Sequence, residues 1–232
     1  MSSSLSISND YGLTWKDLGQ ILTGTDYPTP AKQTGEGDLS VVDSHDGYYY
    51  AYCFRNMDRG QIVARAPVAN PRPGQWVKFY QGHWDQPGLG GDATNIGNGS
   101  GSSVAWWTTT HETAMTGWVP GGLGVRFSAD HTKFTTIAEP LLLMDPSEMV
   151  IYPVLLDAKT GSKELSNSWL LAYAYRPPYE DRVKRYLVFR DVSVSVSNTP
   201  TAPQVGVLLA RWYNPTVHLG KMETLLGYDL KE

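Results

Sequence analysis

Cysteine is almost missing from this chain. The single one among 232 residues, Cys53, excludes an internal disulfide and any zinc site built on thiolates. Inside YYYAYCF it is expected to be a small buried apolar residue. Long apolar runs are missing too: no segment approaches the roughly 18 residues that a membrane-spanning helix needs, so a soluble chain with no membrane partner is expected. The opening residues, MSSSLSIS, have neither the basic start nor the apolar centre of a secretory signal. Charge is balanced, with 19 basic and 23 acidic residues and a net charge of -4. No Lys/Arg run occurs, which removes the electrostatic footprint of a nucleic-acid partner. No stretch long enough for a helix combines helical apolar spacing with caps.

Several catalytic signatures are incomplete or absent. His111-Glu112 lacks the second histidine of a zinc-protease helix and lies among β-forming threonines. The glycines from 88 to 101 are followed by no P-loop lysine and have no strand-then-helix context. There is no G-x-S-x-G elbow, and the five histidines show no metal-ligand spacing. No cofactor is expected. A structural calcium ion held by carbonyls and Asp side chains stays open, although no loop encodes it.

Aromatics and turn formers are abundant: 14 Tyr, 8 Trp, 23 Gly and 15 Pro. That mixture fits many short strands joined by tight turns, with aromatic faces left over for sugar-like ligands. The most specific local pattern is SLSISNDYGLTWKDL at 4–18, where Ser8, Asp10, Gly12, Thr14 and Trp15 follow S-x-D-x-G-x-T-W between alternating apolar residues. It reads as a β-hairpin turned by Asn9, Asp10 and Gly12. The pattern resembles the Asp-box of sialidase-like and related β-propellers, and that resemblance implies an outer blade hairpin lying away from any active site. Extracellular or periplasmic localisation is what it implies in turn. Because the chain starts almost inside the hairpin, a partial propeller is one expectation.

Downstream, strands are expected at Leu39–Val42 and Tyr48–Phe54 around a Ser44-His45-Asp46-Gly47 turn, then QIVARAPVA and WVKFYQG around NPRPG. SSVAWWTTT and GLGVRFSADHTKFTTI follow, the latter resembling a degraded Asp-box at Ser128, Asp130 and Phe134. MVIYPVLLDA, SWLLAYAYRP, RYLVFRDVSVSV, VGVLLARWY and KMETLLGY complete the chain. Units starting at 38, 92 and 148 are spaced by 54 and 56 residues, near the period of four-stranded propeller blades. The reading is therefore an all-β fold: a β-propeller of four-stranded antiparallel blades, four or five in number and possibly incomplete. Residues 1–232 would form one domain whose termini share a blade, and a homo-oligomer stays open.

In such a fold the starts of the innermost strands share one funnel mouth. Asp38, Asp92 and Glu148 are assigned to that place, an arrangement resembling the five-bladed glycosidases of the arabinanase and β-xylosidase type. The resemblance implies Asp38 as the base that activates water, Glu148 as the acid and Asp92 as the residue that orients the acid and raises its pKa. Asp38 and Asp92 as turn residues, and Glu148 as a solvated loop residue, remain alternatives, with Asp145 a competitor for the acid. Arg55 is the best cationic ligand candidate; Arg65 and Arg126, on third strands, are expected to face neighbouring blades, and Arg211 lies in LLARWY. The three substrate-gripping arginines of sialidases have no recognisable counterpart. Trp84, Trp106 and Tyr49 are the aromatic candidates for a carbohydrate ligand, with packing between blades as the alternative. The functional expectation is a glycoside hydrolase on a polysaccharide or oligosaccharide, or a non-catalytic carbohydrate-binding propeller or interaction scaffold.

Overall fold

The computed structural model describes residues 2–25, 35–98, 103–135, 140–178, 184–195 and 204–213. The KMETLLGY segment lies outside the described residues. Among the described residues every regular element is a strand, in four sheets.

The first sheet is the hairpin β1 (Ser2–Ile7) and β2 (Lys16–Thr23). Its turn is built by side chains. Ser8 Oγ donates to Asp10 Oδ1 at 2.8 Å and accepts the Gly12 amide at 2.7 Å. Asp10 accepts both the Thr14 amide (2.9 Å) and the Thr14 hydroxyl (2.6 Å). Trp15 Nε1 closes the turn on the Gly12 carbonyl at 3.0 Å. Tyr11 (φ 58) and Gly12 (φ 88) take the left-handed backbone that this turn needs. The Thr14 bonds hold the Asp10 carboxyl at about 2, well below the ordinary value. The same Ser-x-Asp bond recurs at Ser44–Asp46 (2.8 Å) and Ser128–Asp130 (3.1 Å), so one local device turns three separate corners of the chain.

The second sheet runs β3 (Glu36–Asp43), β4 (Tyr48–Arg55), β5 (Gly60–Pro67), β6 (Val77–Tyr80) and β7 (His83–Pro87), with β8 (Gly97–Asn98) added to β5. The third contains β9 (Ser103–Trp107), β10 (Glu112–Val119), β11 (Gly122–Ser128) and β12 (Leu142–Leu143). The fourth is a meander of β13 (Met149–Asp157), β15 (Ser168–Arg176), β16 (Tyr186–Ser195) and β17 (Gln204–Tyr213). Between β13 and β15, the short β14 (Glu164–Leu165) leaves its neighbours and pairs in parallel with β9. The first hairpin and the last sheet are separate sheets.

Alternation along each strand decides which sheet it packs on. Ala51, Cys53, Ile62 and Ala64 face Ile21 and Leu22 of the first hairpin. Their neighbours Tyr50, Tyr52 and Val63 face Val104, Trp106 and Met115 of the third sheet. The largest cluster joins the third and fourth sheets, where Trp107 and Trp169 meet edge-to-face at 5.3 Å with Phe127 beside them. Cys53 is fully buried and burial pushes its thiol up, as expected from its setting. Sheets therefore stack through apolar faces, and their innermost strands β3, β9 and β13 lie side by side.

These three strands are level at Ser40, Ser103 and Pro153. Ser40 Oγ and Ser103 Oγ are 3.4 Å apart, and Ser40 Oγ accepts the Val104 amide at 3.0 Å. Thr116 Oγ1 bonds the carbonyls of both Ser103 and Pro153 at 3.2 Å. Just ahead of that level, β3 and β13 carry the same irregularity: the register slips between Gly37 and Ser40, and between Ile151 and Val154. Asp38 (φ 50) and Tyr152 (φ 55) occupy the two bulges in left-handed conformation.

Candidate functional site

Asp38 is exposed at its bulge, two residues ahead of the level of Ser40. Aspartate tolerates the left-handed region better than most residues, and a strained non-glycine position at the centre of a fold is where functional constraint concentrates. Glu148 is half-buried immediately before β13. Tyr175 Oη, on the adjacent β15, donates to Glu148 Oε1 at 2.7 Å. Burial and this carboxylate together push the Tyr175 phenol above its ordinary range. Deeper on the same face of β15, Tyr173 Oη accepts Arg190 Nε at 2.8 Å. The competitor Asp145 is exposed and turns its own loop by accepting the Ser147 amide at 2.8 Å.

Asp92 is placed differently from the sequence expectation. The innermost strands start at Glu36, Ser103 and Met149, so the even spacing of Asp38, Asp92 and Glu148 is not a spacing of strand starts. The extra strands β7 and β8 lengthen the first unit, and Asp92 lies in the connection between them, exposed. Among the described residues none of the three carboxylates hydrogen-bonds another.

Arg55 is engaged by its own sheet. Its guanidinium grips Asp58 with two bonds, 2.9 and 2.6 Å, and donates Nη1 to the Ala93 carbonyl at 2.8 Å. Asp58 raises the Arg55 pKa, with Asp92 adding a smaller attraction, and Arg55 in turn holds the Asp58 carboxyl low. The arginine organises the loop carrying Asp92. Arg65 meets aromatic faces, 4.3 Å from the Tyr48 ring centre and 4.5 Å from that of Trp84.

Trp84 and Trp106 stand on strands β7 and β9 and pack between the second and third sheets. Trp106 is 6% exposed. Tyr49 is half-buried on the opposite face of β4, against the first hairpin. The packing role weighed against these residues is thus the one their surroundings describe. Trp106→Ala should cost about 3 to 5 kcal/mol of stability, read as a lowered urea midpoint; a site residue would instead lose ligand at unchanged stability.

One titratable group at this interface escaped the sequence reading. His131 stacks on Tyr50 at 3.8 Å between ring centres and on Trp106 at 6.1 Å, with Nδ1 2.9 Å from Thr113 Oγ1. Burial lowers its pKa below 6.5, against the attraction of Asp46 and Asp130. Asp46 is itself held below 3.8: burial opposes ionisation, but bonds from Tyr50, Ser44 and the Tyr48 amide outweigh it. The folded state therefore favours neutral His131, and stability falls as pH drops below about 6.5. Urea midpoints at pH 7.5 and 5.5 should differ in that direction, and His131→Phe should shrink the difference.

No family model matches the chain, and no curated protein matches it. Among solved structures it is similar to a bifunctional GH43-CE protein from Bacteroides eggerthii, with a TM-score of 0.55, 13% identity and 92% of this chain covered. The match spans 28% of that protein's chain. With the mainly antiparallel sheets of the described residues and their side-by-side innermost strands, this likeness makes the fold a β-propeller. Three sheets and a hairpin are the blades that the described residues supply. Function has to be argued from the site, since propellers host many unrelated activities.

Proposed function

We propose that the chain is a glycoside hydrolase-like propeller unit that cleaves a polysaccharide or oligosaccharide with Asp38 as base and Glu148 as acid. The observation that carries this reading is the exposed carboxylate of Asp38, held on a strained bulge of an innermost strand. Glu148 leads into the innermost strand of the fourth sheet, where Tyr175 restrains it. Tyr175 donates to Glu148 Oε1 and the Asp145 amide to Oε2 at 3.4 Å, so both oxygens of the carboxyl are oriented by their surroundings. Asp38, ionised, takes a proton from the attacking water, and Glu148 delivers its own to the leaving oxygen.

A non-catalytic carbohydrate-binding reading draws support from the second bulge, which carries Tyr152, 59% exposed, in place of an acid. Its flat ring suits apolar contact with a sugar. A pull-down on insoluble polysaccharides run beside a reducing-sugar assay separates the two. The hydrolase reading expects binding with release of reducing ends, and Glu148→Gln that binds without releasing them. Binding without release by the native chain would leave the lectin-like reading in its place.

A further inference from the structure

Lys163 occupies an unusual position for a cation. It immediately precedes β14, the short strand that pairs with β9 on the side away from β10, which is the inner side of that blade. The Lys163 carbonyl accepts the Trp106 amide at 2.8 Å, and Glu164 Oε1 lies 3.0 Å from Nε2 of His45, in the turn between β3 and β4. β14 therefore lies against β9 and β13, with Glu164 reaching the turn that follows β3. From there the Lys163 side chain runs back to the level where the innermost strands meet, and Nζ donates to Ser40 Oγ at 2.9 Å.

Charge and hydrogen-bond capacity at that point are unbalanced. An ammonium has three donor hydrogens, and Lys163 spends one on a neutral hydroxyl. Among the described residues no carboxylate pairs with it. Burial disfavours its charge and lowers its pKa, the signature of a cation held without a counter-ion. Ser103 Oγ, 3.4 Å from Ser40 Oγ, adds a second hydroxyl. The group that satisfies such a set is an anion with two oxygens, accepting from the ammonium and from a serine together.

We propose that Lys163, Ser40 and Ser103 form a carboxylate-binding floor at the centre of the propeller. Resting on the hydrolase reading above, this makes the preferred carbohydrate an acidic one, a uronate whose carboxylate seats on Lys163 while its ring reaches Asp38, two residues ahead of Ser40. A free small carboxylate shares the chemistry, so the test carries both sources.

Isothermal titration of sodium D-glucuronate, D-glucose and sodium acetate at pH 7 reads it out, with native protein, Lys163→Met and Lys163→Arg. The expected result is glucuronate binding that exceeds acetate binding, weakens at least about tenfold in Lys163→Met and largely persists in Lys163→Arg. Glucose affinity should be unchanged by either substitution. Retention of anion binding by a folded Lys163→Met protein, or binding of neither anion by the native chain, overturns the floor. Equal native affinity for glucose and glucuronate overturns it as well, while leaving the carbohydrate reading intact. Acetate binding that depends on Lys163, with neither sugar bound, upholds the anion floor and removes the carbohydrate reading. Thermal unfolding of each variant, followed by circular dichroism, checks that loss of binding is not loss of fold.

Discussion

Lys78→Met should destabilise the protein by about 3 to 5 kcal/mol, the range for breaking a buried ion pair from one side. Lys78 is fully buried on β6 and its Nζ lies 3.0 Å from Glu36 Oε1, whose side chain is 1% exposed. The same ammonium donates to the carbonyls of Thr23 at 2.7 Å and Gly91 at 2.8 Å. One side chain thus ties the end of the first hairpin, the start of the innermost strand β3 and the loop before Asp92. Methionine fills similar space without a charge, leaving the Glu36 carboxylate facing an apolar neighbour and two carbonyls short of a donor. Adding Glu36→Gln should return part of the loss, because the stranded charge is gone while both carbonyls still lack their partner. Urea unfolding of the native, single and double variants measures this, and a single-variant loss below about 1 kcal/mol would mean the pair is not buried as described.

Asp38→Asn should lower kcat/KM for glycoside hydrolysis by about a factor of 100 to 10,000, the usual contribution of a positioned general base. Asparagine is suited to the test because it matches aspartate in shape and tolerates the left-handed backbone at φ 50, so the bulge should persist. What is removed is the ability to accept a proton from water. Substrate affinity should change little, which locates the loss in the chemical step. A comparable fall in kcat/KM from Asp145→Asn, with Glu148→Gln inert, would move the acid to the neighbouring residue on the same loop.

Much of the fold could be read from the chain because its signals are local. Serine, aspartate and glycine at fixed offsets dictated the first hairpin, and Ser128 and Asp130 repeat the serine-to-aspartate and amide-to-aspartate bonds at their own corner. Alternation in YYYAYCF puts Tyr49 on the opposite face from Tyr48 and Tyr50. The missed strands show where local signals fail. The segment of β10, ETAMTGWV, mixes small and polar residues, yet it lies between β9 and β11 with Ala114 and Thr113 fully buried; its neighbours determine its conformation. β7, HWDQP, is short and polar, so nothing in its own pattern marks Trp84 as a strand residue.

The site was legible in part. Asp38 stood out as an acid after glycine ahead of a strand, whereas its bulge is a property of β3–β4 register that no single-strand pattern contains. Asp92 was grouped by spacing alone, and insertion of β7 and β8 broke the relation between spacing and place. Lys78, His131, Tyr175 and Lys163 gave no signal, because each matters through a partner far away in sequence. Tyr175 meets Glu148 across 27 residues and Lys163 meets Ser40 across 123.

The central claim is that Asp38 and Glu148 act as a base and an acid on one glycosidic bond, and the pH dependence of kcat/KM tests it most directly. With an aryl glycoside whose phenol is a good leaving group, the native chain should give a bell, its acid limb set by the base and its alkaline limb by the acid. Glu148→Gln should keep measurable turnover on that substrate, which needs little protonation to leave, and lose the alkaline limb; Asp38→Asn should lose the acid limb. A bell that survives unchanged in both variants would contradict the assignment of either carboxylate to the chemistry.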